Sequence, residues 1–236
     1  MSPDINCDMG EGVGNDALIM PFINSANIAC GYHAGDSSTI WNTIELAVEH
    51  NVKIGAHVSF FDRPNFGRTA MNLPDDELYD LIIQQLILFS EIAGSFDKPV
   101  NHVKPHGALY NIAAAVPSVA KVIAKAIRDF DPALVLYGLS GSHSIREAKS
   151  AGLKTASEVF ADRTYQDDGS LTPRSQPNAL IADVDRVIQQ VGQMINKGTV
   201  TTVSGKTIPL LAETICIHGD GEHAVEFAKA IYGKLK

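Results

Sequence analysis

The sequence predicts an α/β fold, a single β/α-barrel domain, on three observations. Seven short apolar runs alternate with amphipathic helical stretches, the pattern of a parallel sheet with right-handed crossovers. Nearly every run ends in a titratable group, and five of the eight histidines lie in or just after such runs. A barrel that builds a site at the C-terminal ends of its strands produces that distribution, whereas an open doubly wound sheet concentrates its site at one switch point. Neither Gly-x-Gly-x-x-Gly nor Gly-x-x-x-x-Gly-Lys-Ser/Thr occurs, so both nucleotide-binding fingerprints of open sheets are missing.

The strands are expected at residues 4–7, 26–30, 52–56, 100–103, 134–137, 154–157 and 214–217. Between them, Asp36-Ser37-Ser38 caps a helix to about His50, with Ile40, Ile44 and Ala47 on its apolar face. Pro74-Asp75-Asp76-Glu77 opens the longest helix, since proline is tolerated in a first turn and carboxylates favour the dipole there; it stops near Gly94. A helical region over residues 108–130 is interrupted or kinked at Pro117. Shorter helices follow at 142–151, 183–197 and 221–232, and 199–209 reads as a β-hairpin centred on Ser204-Gly205. Two long connections, 58–73 and 158–179, are candidate lids.

No linker divides the 236 residues, so the expectation is one domain, 1–236. Hydrophobic content of 45% and charged content of 19% suit a globular protein. The net charge is −8 and no segment concentrates Lys or Arg, which argues against nucleic acid or an anionic membrane as partner. No apolar stretch approaches the roughly 20 residues of a membrane span, and no secretory signal is visible. Cys7, Cys30 and Cys216 each sit inside an apolar run and read as reduced core residues, so a cytoplasmic location is expected.

The candidate chemistry lies at the strand ends. Asp4, Asn6 and Asp8 share one face of the first strand, and three polar groups facing a barrel interior are costly unless they line a site. Glu11 follows. His33 stands in a glycine-flanked turn that permits close ligand approach, where Asp36 is more simply the helix cap. His57 ends the third strand; the loop after it brings Arg68, able to hold a carboxylate or phosphate in bidentate fashion or merely solvated. Lys104-Pro105-His106, followed by Tyr110, is the densest segment. A lysine there loses pKa by desolvation unless a carboxylate compensates, and a structural Lys–Glu pair is its plain alternative. Glu158, Asp162, Arg163 and Arg174 offer a general base and anion-binding groups. His218-Gly219-Asp220 opens a helix whose N–H groups suit phosphate.

In this order, the segments Asn6–Glu11, Ala29–Asp36, Val103–Asn111 and Glu158–Arg163 resemble the LamB/YcsF family over essentially the whole chain. The resemblance implies a seven-stranded β/α barrel of the glycoside hydrolase/deacetylase type. It also implies opening of 5-oxo-L-proline to L-glutamate with ATP, as Mg2+-ATP, cleaved to ADP and phosphate, in complex with two partners, the B and C subunits. On that reading Asp8 or Glu158 is the base, and Lys104 and His106 stabilise charge. Arg68, Arg163 and Arg174 bind anions, and Asn6, Glu11, His33, Tyr110, Asp162, His218 and Asp220 complete the substrate and phosphate site. Val58, Thr69 and Ser37 stand where the family pattern leads one to expect Pro, Arg and Pro. Two other readings compete. By analogy to the wider superfamily, Asp8, His57 and His106 would hold a divalent metal for a stand-alone deacetylase or amidohydrolase. Alternatively the chain binds and positions substrate without catalysing.

Overall fold

Seven parallel strands hydrogen-bond around a closed barrel in the computed structural model, which describes residues 3–235. The chain runs β1 (Asp4–Met9), α1 (Asp16–Ile19), β2 (Ser25–Ala29), α2 (Ser37–Glu49), β3 (Lys53–Val58), α3 (Asp75–Gly94) and β4 (Val100–Pro105). It continues through α4 (Gly107–Ala115), α5 (Pro117–Phe130), β5 (Val135–Leu139), α6 (His143–Ser150), β6 (Lys154–Phe160) and α7 (Val184–Lys197). A hairpin of β7 (Thr199–Thr201) and β8 (Thr207–Pro209) precedes β9 (Thr214–His218) and α8 (Ala224–Leu235). The barrel order is β1-β2-β3-β4-β5-β6-β9, with β9 returning to pair with β1.

Each expected barrel strand is present, and several run further than their apolar segments. β1 reaches Met9 because Asp8 keeps its register opposite Asn27 on one side and His218 on the other. β4 extends to Pro105, opposite Val58, where the missing N–H costs nothing at a strand end. β6 continues to Phe160, so Glu158 lies inside a strand and not in the loop after it. The kink at Pro117 is a full break: α4 and α5 meet at 115°, because proline cannot continue the preceding helix. Helix α1, one turn long, has no counterpart in the sequence pattern because so short a segment shows no periodicity. Helix α8 starts at Ala224, three residues later than expected. No single helix among the described residues is long and apolar enough to cross a membrane.

The apolar core sits between barrel and helices, where Ile5, Cys7 and Met9 of β1 pack with Ile44, Ile28 and Ile217. The barrel interior is different. Its lower layers are filled by a hydrogen-bonded polar ladder rather than by branched aliphatic side chains. Ser25 Oγ and Thr214 Oγ1 donate to Asp4, at 2.9 and 3.0 Å. Asn6 Nδ2 donates to Thr214 Oγ1 at 2.7 Å, and Asn27 Nδ2 to Asn6 Oδ1 at 2.7 Å. His102 Nε2 then donates to Asn27 Oδ1 at 2.7 Å, and its ring stacks on Tyr137 with centroids 4.1 Å apart. Gly55 makes room for that imidazole, since a Cβ at this position would run into His102 Nε2. Buried polar groups are costly unless paired, and apart from His102 Nδ1, which has no hydrogen-bond partner among the described residues, this ladder pairs them into a floor for the site above.

Candidate active site

On that floor stands Lys104, buried at the end of β4. Its Nζ lies 2.8 Å from Asp8 Oδ1 and 2.9 Å from Glu158 Oε1, with Cys216 Sγ at 3.1 Å. Burial pushes the ammonium pKa down, but Asp8, Cys216 and Glu158 outweigh it and hold it well above that of a free lysine. Burial likewise pushes the Asp8 carboxyl up, and His57 with Lys104 overcomes it, so Asp8 is held well below the usual carboxylate range. Asp8 therefore stays an anion and Lys104 a cation. The carboxylate compensation foreseen for Lys104 comes from two groups.

Beside this pair lie three imidazoles. His57 Nε2 is 3.3 Å from Asp8 Oδ2 and 2.9 Å from His106 Nδ1. His33 stacks on His106 at 3.8 Å between centroids, and its Nε2 is 3.0 Å from Glu11 Oε1. Burial, then His57, lowers the His33 pKa to about 2. Burial with His33 and His57 pushes His106 well down, while burial and the Asp8 and Asp220 carboxylates push Glu11 well up. The outer nitrogens are fixed by the backbone. His57 Nδ1 meets Lys104 O at 3.0 Å, and His106 Nε2 meets Phe66 O at 2.9 Å. Phe66 adopts a left-handed φ of 56°, a strained choice for an aromatic residue at the point where its carbonyl receives His106.

These groups open into a cleft of about 1080 Å³ at the C-terminal ends of the strands. Asp8, Glu11, His57, Lys104 and His106 line its floor, and Tyr110, Arg68, Arg174, His218 and Asp220 its wall and rim. The Tyr110 hydroxyl is buried beside Glu158 without a well-formed hydrogen bond among the described residues; burial and that carboxylate raise its pKa well above the usual phenol value. Arg68 Nη2 pairs with Asp220 Oδ2 at 2.7 Å, bridging the loops after β3 and β9. Asp162 sits behind His218, accepting from Nδ1 at 2.9 Å. Burial pushes the Asp162 carboxyl up, and the adjacent His218 outweighs it, so its pKa lies below the usual carboxylate value.

Four expected site residues stand back from the cleft. Asn6 belongs to the ladder, His33 and Asp162 are behind Glu11 and His218, and Glu158, fully buried, grips Lys104 from below. Arg163 lines the cleft but spends Nη2 on Thr172 O at 2.6 Å and Nε on Ala179 O at 3.3 Å, so it fastens the loop after β6. Burial and neighbouring Arg174 lower its pKa to about 10. Asp36 caps α2, accepting from Thr39 N at 2.8 Å. For a metal, the donor atoms that gather within 4.8 Å are those of Glu11, His33, His57 and His106; Asp8 groups instead with Cys216 and His218.

Sequence reasoning missed Asn27, Ser59 and Cys216 as site partners. Asn27 donates to Asp8 Oδ1 at 2.8 Å, and the period-two alternation that exposed Asp4, Asn6 and Asp8 would have exposed it too. Cys216 is a buried, reduced thiol as expected, yet its sulfur faces Lys104. Ser59, which meets His33 Nδ1 at 2.9 Å, carries no sequence signal.

Fold and site together define a closed parallel β/α barrel with a polar cleft at its strand ends. The chain belongs to the LamB/YcsF family, whose sequence profile matches residues 3–236. It is 51% identical to the 5-oxoprolinase A subunit of Brevibacillus brevis, over 97% of this chain and 92% of that protein. It is 50% identical to the 5-oxoprolinase A subunit of Tolumonas auensis, over 98% and 94% of the two chains. Among solved structures it resembles the lactam utilization protein of Thermus thermophilus, with TM-score 0.92 and 38% identity over 100% of this chain and 96% of that one. A family 4 carbohydrate esterase from Streptomyces lividans, at TM-score 0.51 and 12% identity, shares the barrel fold alone; it matches over 99% of this chain and 88% of that one.

Proposed function

We propose that this chain is the A subunit of an ATP-dependent 5-oxoprolinase, opening 5-oxo-L-proline to L-glutamate in complex with the B and C subunits. The observation that carries the reading is the Lys104 ammonium held between Asp8 and Glu158 at the floor of the cleft, next to His57 and His106. The names of relatives near 50% identity over almost the full length support the substrate.

A five-membered lactam is a stable amide, so opening it is coupled to phosphoryl transfer. The carbonyl oxygen takes the γ-phosphoryl group of Mg2+-ATP and ADP leaves. Water adds to the activated carbon and gives its proton to a base. The ring nitrogen leaves as a protonated amine, and a second water releases phosphate from the acyl phosphate. Each step develops charge that fixed groups in a low-dielectric cleft stabilise. Lys104 stabilises oxyanion character at the carbonyl. Asp8 reaches the cleft whereas Glu158 does not, which favours Asp8 as base and leaves Glu158 to position Lys104. Tyr110 and Arg174 face the space a substrate carboxylate or phosphate would take.

The test is ring opening by the reconstituted ternary assembly. Lys104→Ala and Asp8→Asn each lower ATP-linked glutamate formation by about two orders of magnitude or more, the scale of losing one charge-stabilising or base group. Full activity in both variants overturns the assignment.

A further inference from the structure

The three imidazoles around Glu11 pose a hydrogen-bonding problem that one divalent cation solves. His57 Nδ1 faces the Lys104 carbonyl, and His106 Nε2 faces the Phe66 carbonyl. A carbonyl oxygen only accepts, so each of these nitrogens carries the ring's proton. In the neutral rings the remaining nitrogens, His57 Nε2 and His106 Nδ1, are both lone pairs, and they face each other at 2.9 Å. His33 repeats the conflict. Its Nδ1 meets Ser59 Oγ at 2.9 Å, and that hydroxyl already donates to Phe60 O at 3.0 Å. His33 Nδ1 is therefore the donor, and its Nε2 lone pair points at Glu11 Oε1, 3.0 Å away. With all three imidazoles neutral and Glu11 ionised, two pairs of acceptors are thus pressed together in a buried pocket.

Two additional protons would relieve both contacts, and so would one doubly charged ion. The geometry suits the ion. A tetrahedral shell with bonds of about 2.0 Å separates its ligand atoms by roughly 3.3 Å. Here the separations are 2.9 Å for His57–His106, 3.0 Å for His33–Glu11, 3.4 Å for His106–Glu11 and 3.9 Å for His57–Glu11. Fixing each ring's far N–H on a carbonyl or hydroxyl is the outer-shell arrangement that orients metal-ligating histidines. Asp8, expected as a ligand by superfamily analogy, stands outside this set: Oδ1 is taken by Lys104 and Asn27, and Oδ2 approaches only His57 Nε2 among the four donors, at 3.3 Å.

We propose that Glu11 Oε1, His33 Nε2, His57 Nε2 and His106 Nδ1 form a binding site for one divalent transition-metal ion of the zinc class. Three imidazoles and one carboxylate favour such an ion over magnesium or calcium, which take oxygen shells. The site sits beside the Lys104–Asp8 pair, and it stands independently of the ring-opening reading because its test needs neither substrate nor partner proteins.

The metal-stripped chain is titrated with Co2+ and, separately, Zn2+ by calorimetry, with the visible d–d spectrum of Co2+ as a second readout. One equivalent binds, the spectrum reports low coordination, and X-ray absorption of the Zn2+ form shows imidazole ligands at about 2.0–2.1 Å. His106→Ala and Glu11→Gln, checked for folding by circular dichroism, weaken binding at least tenfold, whereas Asp8→Asn weakens it less than Glu11→Gln does. Should a variant fail to fold, the wild-type spectrum and stoichiometry still decide. Absence of one-equivalent binding, or a larger loss in Asp8→Asn than in Glu11→Gln, overturns the proposal. So does nitrogen NMR showing protons occupying both contacts in protein that takes up no metal.

Discussion

At the level of single residues, Lys104 carries the heaviest consequence. Removing it leaves Asp8 and Glu158 as buried carboxylates without their cation, and breaking a buried pair from one side costs about 3–5 kcal/mol. Lys104→Met is expected to lower unfolding stability on that scale in denaturant titration, and adding Glu158→Gln should restore part of it, the signature of coupling in a double-mutant cycle. His102 supplies a pH dependence. Burial, then Lys104, lowers its pKa to about 3, against 6.5 in the unfolded chain. The folded state binds this proton less readily, so the contribution is intact above about pH 6.5 and is lost as pH falls toward 3. Over that window the loss is on the order of a few kcal/mol. His102→Gln keeps a donor for Asn27 but cannot titrate, and its stability should fall less steeply between pH 6.5 and 3 than that of the wild type. Equal slopes would show that His102 is not the group responsible. Much of this chemistry was legible from the sequence, because Asp8, His57, Lys104 and His106 each end an apolar run. The pairing was not. Nothing in one dimension says that Glu158 reaches beneath Lys104, or that Ser59 and the Phe66 carbonyl fix the imidazole tautomers.

Among the elements, the loop after β3 matters most, since it seals one side of the cleft. Ala108 N donates to Gly67 O at 2.9 Å, fastening the loop to the first turn of α4. Gly107 holds φ at +56°, and a Cβ there would stand 2.5 Å from Gly67 O. Gly107→Ala is therefore expected to cost about 1–3 kcal/mol through strain, and to speed proteolysis within residues 59–73. Unchanged cleavage and stability would mean that the loop is held elsewhere. Strand centres were easy to read, because a buried parallel strand is a continuous apolar run. Strand ends were harder. Whether β1, β4 and β6 continue past their apolar segments depends on neighbours' register, and so Glu158 was expected in a loop yet lies within β6. Of the two long connections, the one after β6 is stitched by Arg163 and by bridges pairing Arg163 with Leu180 and Tyr165 with Leu171.

For the whole molecule, closure of the barrel makes the polar interior possible. With no open edge and an apolar layer outside, the interior can be given to hydrogen-bonded and charged groups that a sheet packed on one face would exclude. The contiguous core predicts a single cooperative transition on heating, with calorimetric and van't Hoff enthalpies in agreement. Two separate transitions would contradict a one-domain organisation. Alternation of strands and helices together with polar strand ends was enough to anticipate a barrel. Neither names a substrate; the proposed one rests on family membership and on the Lys104 centre. The most direct measurement is therefore parallel assay of glutamate and ADP from 5-oxo-L-proline and Mg2+-ATP, using this chain alone and combined with the proposed B and C subunits. Equal amounts of glutamate and ADP are expected from the combination, and neither from the chain alone. Glutamate formed by the chain without ATP or partners, or none formed by the full complex, would contradict it.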